Sequence, residues 1–432
     1  MSGARFILTA LCCLLLAACD WSSISSELMA PAAQQAAQQE DGGTPADDEP
    51  ATDEPADDGA AVDAPAPPDM AGVSFDGPIT ISDGGTYTGN WQSNDPDVAA
   101  VTVDTTEPVT IAGSNIRSRG DLIVSGVEGT DVTVANNAAQ GLNPQRDGVE
   151  VGRFVSLHRA RRAVIEHNDV SATAGIEFVQ YGGNGSDKQT FKVRHNRVRN
   201  VDGRVSTGNG MSDNDDAAEL RQFVQFNEIT DVPGMEVAWN EVHNEPGESR
   251  VEDNISVWIS SGTPDSPIDI HHNFIDGAYP TNPESDPFSG GGIMAGDGSS
   301  GGAPANVTVR ENTVLNTANY GIAISSGRNM KLIDNQVLST GRLPGGGTVA
   351  SQNVGAYVWN MLGQEFTDTT ASGNIVGWEK PGGRNDFWMP DVHQASANSS
   401  FDGDVTDAVL EQAYADWRKA ARTAGVEVGI SD

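Results

Sequence analysis

Cysteine is almost missing from this chain: Cys12, Cys13 and Cys19 are the only three, all within the first nineteen residues. Beyond residue 19 there is therefore no disulfide, no thiol nucleophile and no cysteine metal site. Positive charge is scarce as well, with 25 Lys and Arg against 61 Asp and Glu, and none at all in residues 40–70. A net charge of −36 argues against nucleic acid as a partner. The apolar stretch at residues 6–16 is too short to span a bilayer. No HExxH, P-loop, GxSxG or CxxC occurs. Gly290-Gly291-Gly292-Ile293-Met294-Ala295-Gly296 is glycine-rich but opens no helix, which makes it a poor nucleotide site. Helical periodicity is absent except near the end.

The start reads as a bacterial lipoprotein signal. Arg5 precedes the apolar stretch, and Leu16-Ala17-Ala18-Cys19 matches a lipobox, so residues 1–19 are expected to be a signal whose Cys19 is lipidated. Lipidation would hold an exported protein on a membrane of the cell envelope, and Asp20 resembles the inner-membrane retention signal of enteric bacteria. Residues 20–77, rich in Ala, Pro, Gln, Asp and Glu, cannot bury enough apolar surface to fold and read as a disordered tether.

What recurs after that is a phrase of glycine, apolar, outward, apolar. It stands at Gly148-Val149-Glu150-Val151, Gly175-Ile176-Glu177-Phe178, Gly234-Met235-Glu236-Val237, Gly321-Ile322-Ala323-Ile324 and Gly355-Ala356-Tyr357-Val358, with looser copies at Ser256-Val257-Trp258-Ile259 and Gly292-Ile293-Met294-Ala295. Each is followed, 12 to 19 residues after its outward member, by a stretch ending in Asn: Asn168, Asn196, Asn227, Asn254, Asn273, Asn312, Asn335 or Asn374. Asn115 and Asn136 extend the series backwards. One turn of short strands cannot bury its own apolar side chains, so such turns stack and share a core. Period-two alternation sends Val149 and Val151 inward and the residue between them outward. The asparagines are expected to take left-handed turn geometry and to hydrogen-bond from coil to coil. His167, His195 and His271-His272, next to these asparagines, read as structural. The fold expected is all-β: a right-handed parallel β-helix over residues 78–380. Residues 381–432 follow as an irregular segment and a helix over 407–424. Thr406 would cap that helix, and Leu410, Tyr414, Trp417 and Ala421 would form its buried stripe, covering an end or side of the solenoid.

This pattern resembles the pectate lyase-like superfamily of right-handed β-helices. Neither the Asn-x-Asp, Asp-Asp and Gly-His-Gly set of polygalacturonases nor the Asp-Pro-His motif of alginate epimerases occurs, so no family's catalytic residues carry over.

Aligning the phrases gives one outward column: Glu150, Glu177, Ser212, Glu236, Trp258, Met294, Ala323, Tyr357. Neighbouring coils lie about 4.8 Å apart, so its carboxylates need a cation, a shared proton or solvation. Long insertions at 181–189, 201–209, 214–221, 239–250, 276–291 and 296–306 wall this face, and long loops in compact repeats carry function. Within them Trp239-Asn240-Glu241-Val242-His243-Asn244-Glu245 offers an aromatic platform, carboxylates and an imidazole, and Asp213-Asn214-Asp215-Asp216 offers oxygen ligands for Ca²⁺. A groove along a strand face suits an extended polysaccharide.

The resemblance implies β-elimination on a uronate chain, assisted by Ca²⁺. Arg250, Arg221 or His243 would be the base. Glu177, Glu236, Asp215 and Asp216 would hold the metal, and Trp258, Trp239, Tyr181 and Glu241 would bind substrate. The same carboxylates suit a glycoside hydrolase, and a non-catalytic surface binder needs only the anchor and the tether.

Overall fold

The structure is a computed structural model and describes residues 66–285, 288–299, 301–361 and 363–431. β-Branched runs separated by glycine and asparagine fold as short strands, and every third strand pairs with the one before it. Sheet 1 has eleven strands and sheets 2 and 3 have twelve each. The chain winds as a right-handed parallel β-helix, the hand expected of parallel crossovers between twisted strands. One coil runs through Ile176–Val179 in sheet 1, Phe191–Arg194 in sheet 2 and Arg197–Arg199 in sheet 3. The next begins at Val224–Asn227, in parallel register with the first.

Inside, like stacks on like. The sheet 2 column Ile111, Val134, Ile165, Val193, Val237, Ile270, Val309, Leu332 is completely buried. Sheet 1 adds Val155, Ile176, Val224, Ile255, Ile293 and Ile322. Each such side chain contributes about 1.5–3 kcal/mol of burial, and no coil could collect that alone.

The asparagine ladder exists, and the expected Asn168, Asn196, Asn273, Asn312, Asn335 and Asn374 belong to it. It comprises Asn137, Asn168, Asn196, Asn240, Asn273, Asn312, Asn335, Asn374 and Asn398, each Nδ2 donating to the next Oδ1 at 2.8–3.0 Å. The same Oδ1 also accepts the backbone N–H of the preceding ladder asparagine, as at Asn240 and Asn273 (3.1 Å). The left-handed residue is not the asparagine but the one before it. Asn136, His167, His195, Trp239, His272, Glu311, Asp334, Gly373 and Ala397 all have φ between 52° and 70°. His167, His195 and His272 are thus structural, as expected. Asn115, Asn136, Asn227 and Asn254 are not rungs. Asn227 ends a sheet 1 strand, and Asn254 is buried with Asn244, whose Nδ2 donates to it at 2.9 Å.

The repeated phrase is likewise not one position. The copies at Glu177, Met294, Ala323 and Tyr357 do share the sheet 1 column, with Gln225 and Ser256 between the first two. Glu236 instead lies in sheet 2, opposite Lys192 and Asp269. Glu150 and Ser212 belong to connections between sheets 3 and 1. The strands that fill their places, Val155–His158 and Val224–Asn227, are preceded by Phe rather than Gly.

The coils also continue past residue 380: Phe387–Trp388, Gln394–Ser396 and Ser399–Ser400 form a last coil, with the sheet 2 and sheet 3 members exposed. The helix spans Asp407–Thr423 and buries Leu410, Ala413, Tyr414, Trp417 and Ala421. It lies against Phe274, Leu315 and Leu338 of sheet 3 and so covers a side of the solenoid, not its end. Thr406 stands at the N-cap with no side-chain bond; its carbonyl accepts from Val409 and Leu410. Among the described residues no helix is long and apolar enough to cross a membrane. The expected signal, Cys19 and most of the tether lie outside the described residues.

Replacing Asn240 by Ala should cost about 1–3 kcal/mol, because buried amide and carbonyl partners are left unpaired. Asn227→Ala, off the ladder, should cost little. Urea unfolding of the two variants checks the assignment: equal losses would contradict it.

Candidate functional site

The expected site residues fall on three faces. On sheet 2, Glu236 accepts from His271 (3.3 Å) and Lys192 (3.2 Å), with Arg194 at 3.9 Å. The His271 bond and the Lys192 charge outweigh burial and hold its carboxyl down at about 2. Glu236 is a rung of a surface ion ladder, and Glu177 and Glu236 cannot share a metal.

On sheet 3, Glu241 and His243 lie buried beneath the helix. Glu241 accepts from Tyr414 Oη, from Arg197 (3.2 Å) and from His243 Nε2 (3.3 Å). Burial would raise this carboxyl, but His243, Tyr414 and Arg197 together bring it to about 2. His243 resists its own burial through Asp276 and Glu241 and is raised. Trp239, on the turn between sheets 2 and 3, stacks on His272 with ring centroids 4.3 Å apart. Tyr181 locks its own loop, its hydroxyl donating to Gln189 O at 2.6 Å.

Sheet 1 keeps Glu177, Trp258 and, along its entry edge, Arg250 and Asp215. Three arginines line this edge, each matched by acids. Arg153 holds Glu177 at 3.0 Å; Arg221 holds Glu150, with Glu219 at 3.7 Å; Arg250 lies between Asp215 and Glu252, both at 3.1 Å. Burial works against the Arg250 charge, yet Glu252 and Asp215 prevail and raise it. It stays a cation and is ill-suited to be a base. Asp215 also accepts from the Thr281 N–H at 3.0 Å, whereas Asp216 is exposed. Among the described residues no three acidic, His or Cys side chains converge as a metal would need.

Further along the outer face of sheet 1 lies a group that sequence reasoning missed. Asp253 is buried and accepts from Tyr320 Oη above Gly291; a side chain on Gly291 would strike both residues. Burial, then the neighbouring Glu252 charge, raise the Asp253 carboxyl well above its usual range. Asp297, in register with Trp258 on the next strand, is pushed up to about 7, chiefly by burial, while the Gly298 N–H restrains it at 2.8 Å. Tyr357, the outward residue two coils on, is 6% exposed, and its hydroxyl has no hydrogen-bond partner in the described structure. Burial and the charges of Asp297 and Asp253 raise that hydroxyl too. Its ring meets Tyr320 edge-on at 5.3 Å, on an apolar floor of Met294, Ala323 and Val354 bordered by Trp359 and Trp388. These carboxyls sense one another and share a face with aromatic walls, so the site can hold a proton at neutral pH and deliver it.

Asp253 was concealed by its neighbour Asn254, which looked like a ladder residue. Asp297 was concealed by the glycine- and serine-rich run after it. The only usable signal was Tyr357, correctly placed in the outward column.

Neither a protein-family model nor a curated protein sequence matches the chain.

The Glu241 cluster sets a pH window for helix docking. Its folded value of about 2 lies below the usual 4.5, so its contribution is full above about 4.5 and is lost as pH falls towards 2. That contribution belongs to the folded cluster as a whole, and helix docking carries the part that comes from Tyr414 and from burial beneath the helix. His243 has the opposite sign: raised from 6.5, it stabilises below that value and less as pH rises. Amide exchange of Asp407–Thr423 should be slowest between about pH 4.5 and 6.5 and at least tenfold faster, after correction for intrinsic rates, near pH 2.5. A flat profile would remove the cluster from helix docking.

Proposed function

We propose that the outer face of sheet 1 binds an extended polysaccharide and hydrolyses it, with Asp297 donating a proton to the glycosidic oxygen. The observation that carries this reading is the buried Tyr357 hydroxyl, left without a partner between aromatic walls and in the field of Asp297 and Asp253. A buried polar group without a partner costs free energy, and a sugar hydroxyl or ring oxygen would satisfy it once the Trp359 and Trp388 border opens, since the hydroxyl is shielded from solvent in the closed face. Trp258, Trp359 and Trp388 supply flat surfaces on which sugar rings stack.

In this reading the Asp297 proton passes to the leaving oxygen as the glycosidic C–O bond breaks, and water adds to the anomeric carbon and returns a proton to the Asp297 carboxylate. Glu252 is half-buried beside the buried Asp253, and its charge raises the Asp253 carboxyl. Burial raises the Glu252 carboxyl and Arg250 opposes that shift; its ionised form would supply negative charge as positive charge builds on the sugar. β-Elimination is less well supported. It needs a uronate, and Arg153, Arg221 and Arg250 are each committed to a protein carboxylate, so a substrate carboxylate would face net negative charge. The resemblance to pectate lyase-like β-helices supports a polysaccharide in general. A lipid on Cys19 would place the enzyme in the cell envelope, within reach of such polymers.

A panel of neutral and uronate polysaccharides, incubated with and without EDTA, provides the test. New reducing ends without unsaturated uronate absorbance are expected; that absorbance would mean elimination. On the substrate found, Asp297→Asn should lose about 10²–10⁴-fold in kcat. The parent's rate should fall as pH rises through about 7, where Asp297 loses its proton. An Asp297→Asn variant as active as the parent would move the acid elsewhere.

Trp258→Ala should raise KM several-fold and leave kcat near the parent value, because a stacking surface binds ground and transition states alike. Steady-state kinetics on the same substrate checks this.

A further inference from the structure

The C-terminal helix stands over sheet 3 and leaves a cleft of about 450 Å³ between itself and the turn that carries Trp239. One wall is the Trp239–His272 stack, its planes 22° apart. The facing wall is small, made by Ala420, Thr423 and Ala424, and Asp416 and Lys419 stand at the rim. We infer that this cleft is a second carbohydrate-binding site, separate from sheet 1, which takes one or two uncharged sugar rings against the Trp239 face.

Two independent observations support the choice. The first is conformational. Trp239 occupies the left-handed position before a ladder asparagine, with φ 54°. At that position the other eight rungs carry Asn, His, Glu, Asp, Gly or Ala. Left-handed backbone suits Gly and Asn and is disfavoured for a bulky ring. The ladder itself needs only Asn240; the half-buried Trp239 ring packs against the helix cluster at Trp417, with ring centroids 6.4 Å apart, and still lines the cleft with the rest of its surface. The second is rigidity. Trp417 Nε1 donates to His272 O at 2.7 Å, which fixes the helix against the stacked pair. The cleft is therefore preformed, and a ligand would not have to order its walls. Its chemistry fits a sugar: an aromatic plane for the C–H face of the ring, and one anion and one cation at the rim for hydroxyls. The rim is balanced in charge, which favours an uncharged ring. The inference rests on the polysaccharide reading only for the kind of ligand, and it needs no cleavage.

The test uses the full chain carrying Asp297→Asn, which cannot consume its ligand, with neutral gluco-, manno- and N-acetylglucosamine oligosaccharides as probes. Binding is followed by calorimetry and by tryptophan fluorescence. Trp239→Asn, which suits the left-handed turn but gives up the ring's packing on His272 and Trp417, should still fold with its helix docked, as amide exchange would show, yet lose one class of sites, with affinity down tenfold or more. Trp258→Ala should lose the other class. Two outcomes would overturn the cleft: Trp239→Asn binding as the parent does, or Trp239→Asn loosening the helix with no change in binding. A Trp239-dependent self-association seen by sedimentation would also overturn it, making the cleft a contact between copies. If only Trp258→Ala affects binding, the cleft inference fails and the sheet 1 reading stands.

Discussion

The coils are kept in step by one hydrogen bond, repeated. An asparagine amide has two donors and a two-lone-pair acceptor, and at the corner between sheets 2 and 3 all are used. Nδ2 reaches the next Oδ1 and a carbonyl of the previous coil, and the Oδ1 takes an Nδ2 and an N–H in return. In a dry interior any missing member would strand several others; at the start of the series Ser114 takes the place, its N–H donating to Asn137 Oδ1 at 3.0 Å. From this corner follow the left-handed residue before each asparagine and the freedom of the other two corners to grow long insertions.

That freedom decides where chemistry can be built. The corner from sheet 3 to sheet 1 carries the long connections that bring Asp215, Arg221 and Arg250 beside the sheet 1 face. Salt-bridged arginines there neutralise the acids at the edge, and burial raises the carboxyls further in, Asp253 and Asp297. Sheets 2 and 3 use their charge differently. Sheet 2 uses it in a half-buried ladder of Glu236, Lys192, His271, Asp269 and Arg310, and sheet 3 hides Glu241 and His243 beneath the helix. The same residue types serve three purposes, separated only by what covers them.

The architecture was legible because stacking needs periodic apolar pairs and a polar corner, and both leave marks in the chain. The helix was legible for the same reason, through Leu410, Tyr414, Trp417 and Ala421. Register was not. A glycine before an apolar-outward-apolar triplet serves sheet 1 at Gly175, sheet 2 at Gly234 and a connection at Gly148, since all three need the same local turn. The coils vary in length, so counting residues from the phrase to the next asparagine could not separate Asn227 from Asn240. The acids of the sheet 1 site escaped notice because their meaning is tertiary: nothing local distinguishes Asp253 or Asp297 from a turn residue until Tyr320 and Tyr357 cover them.

The exposed last coil governs what the molecule does not do. A stack of identical rungs has no intrinsic length, and a terminal rung with bare backbone groups is a template on which foreign strands can polymerise. Here Gln394–Ser396 and Ser399–Ser400 offer small polar side chains where earlier coils offer Val, Ile and Leu. A strand added there would gain its backbone bonds but almost no apolar burial, so the entropy of ordering it goes largely uncompensated. The solenoid thereby carries its own chain terminator, written as a change of composition and not as a lid.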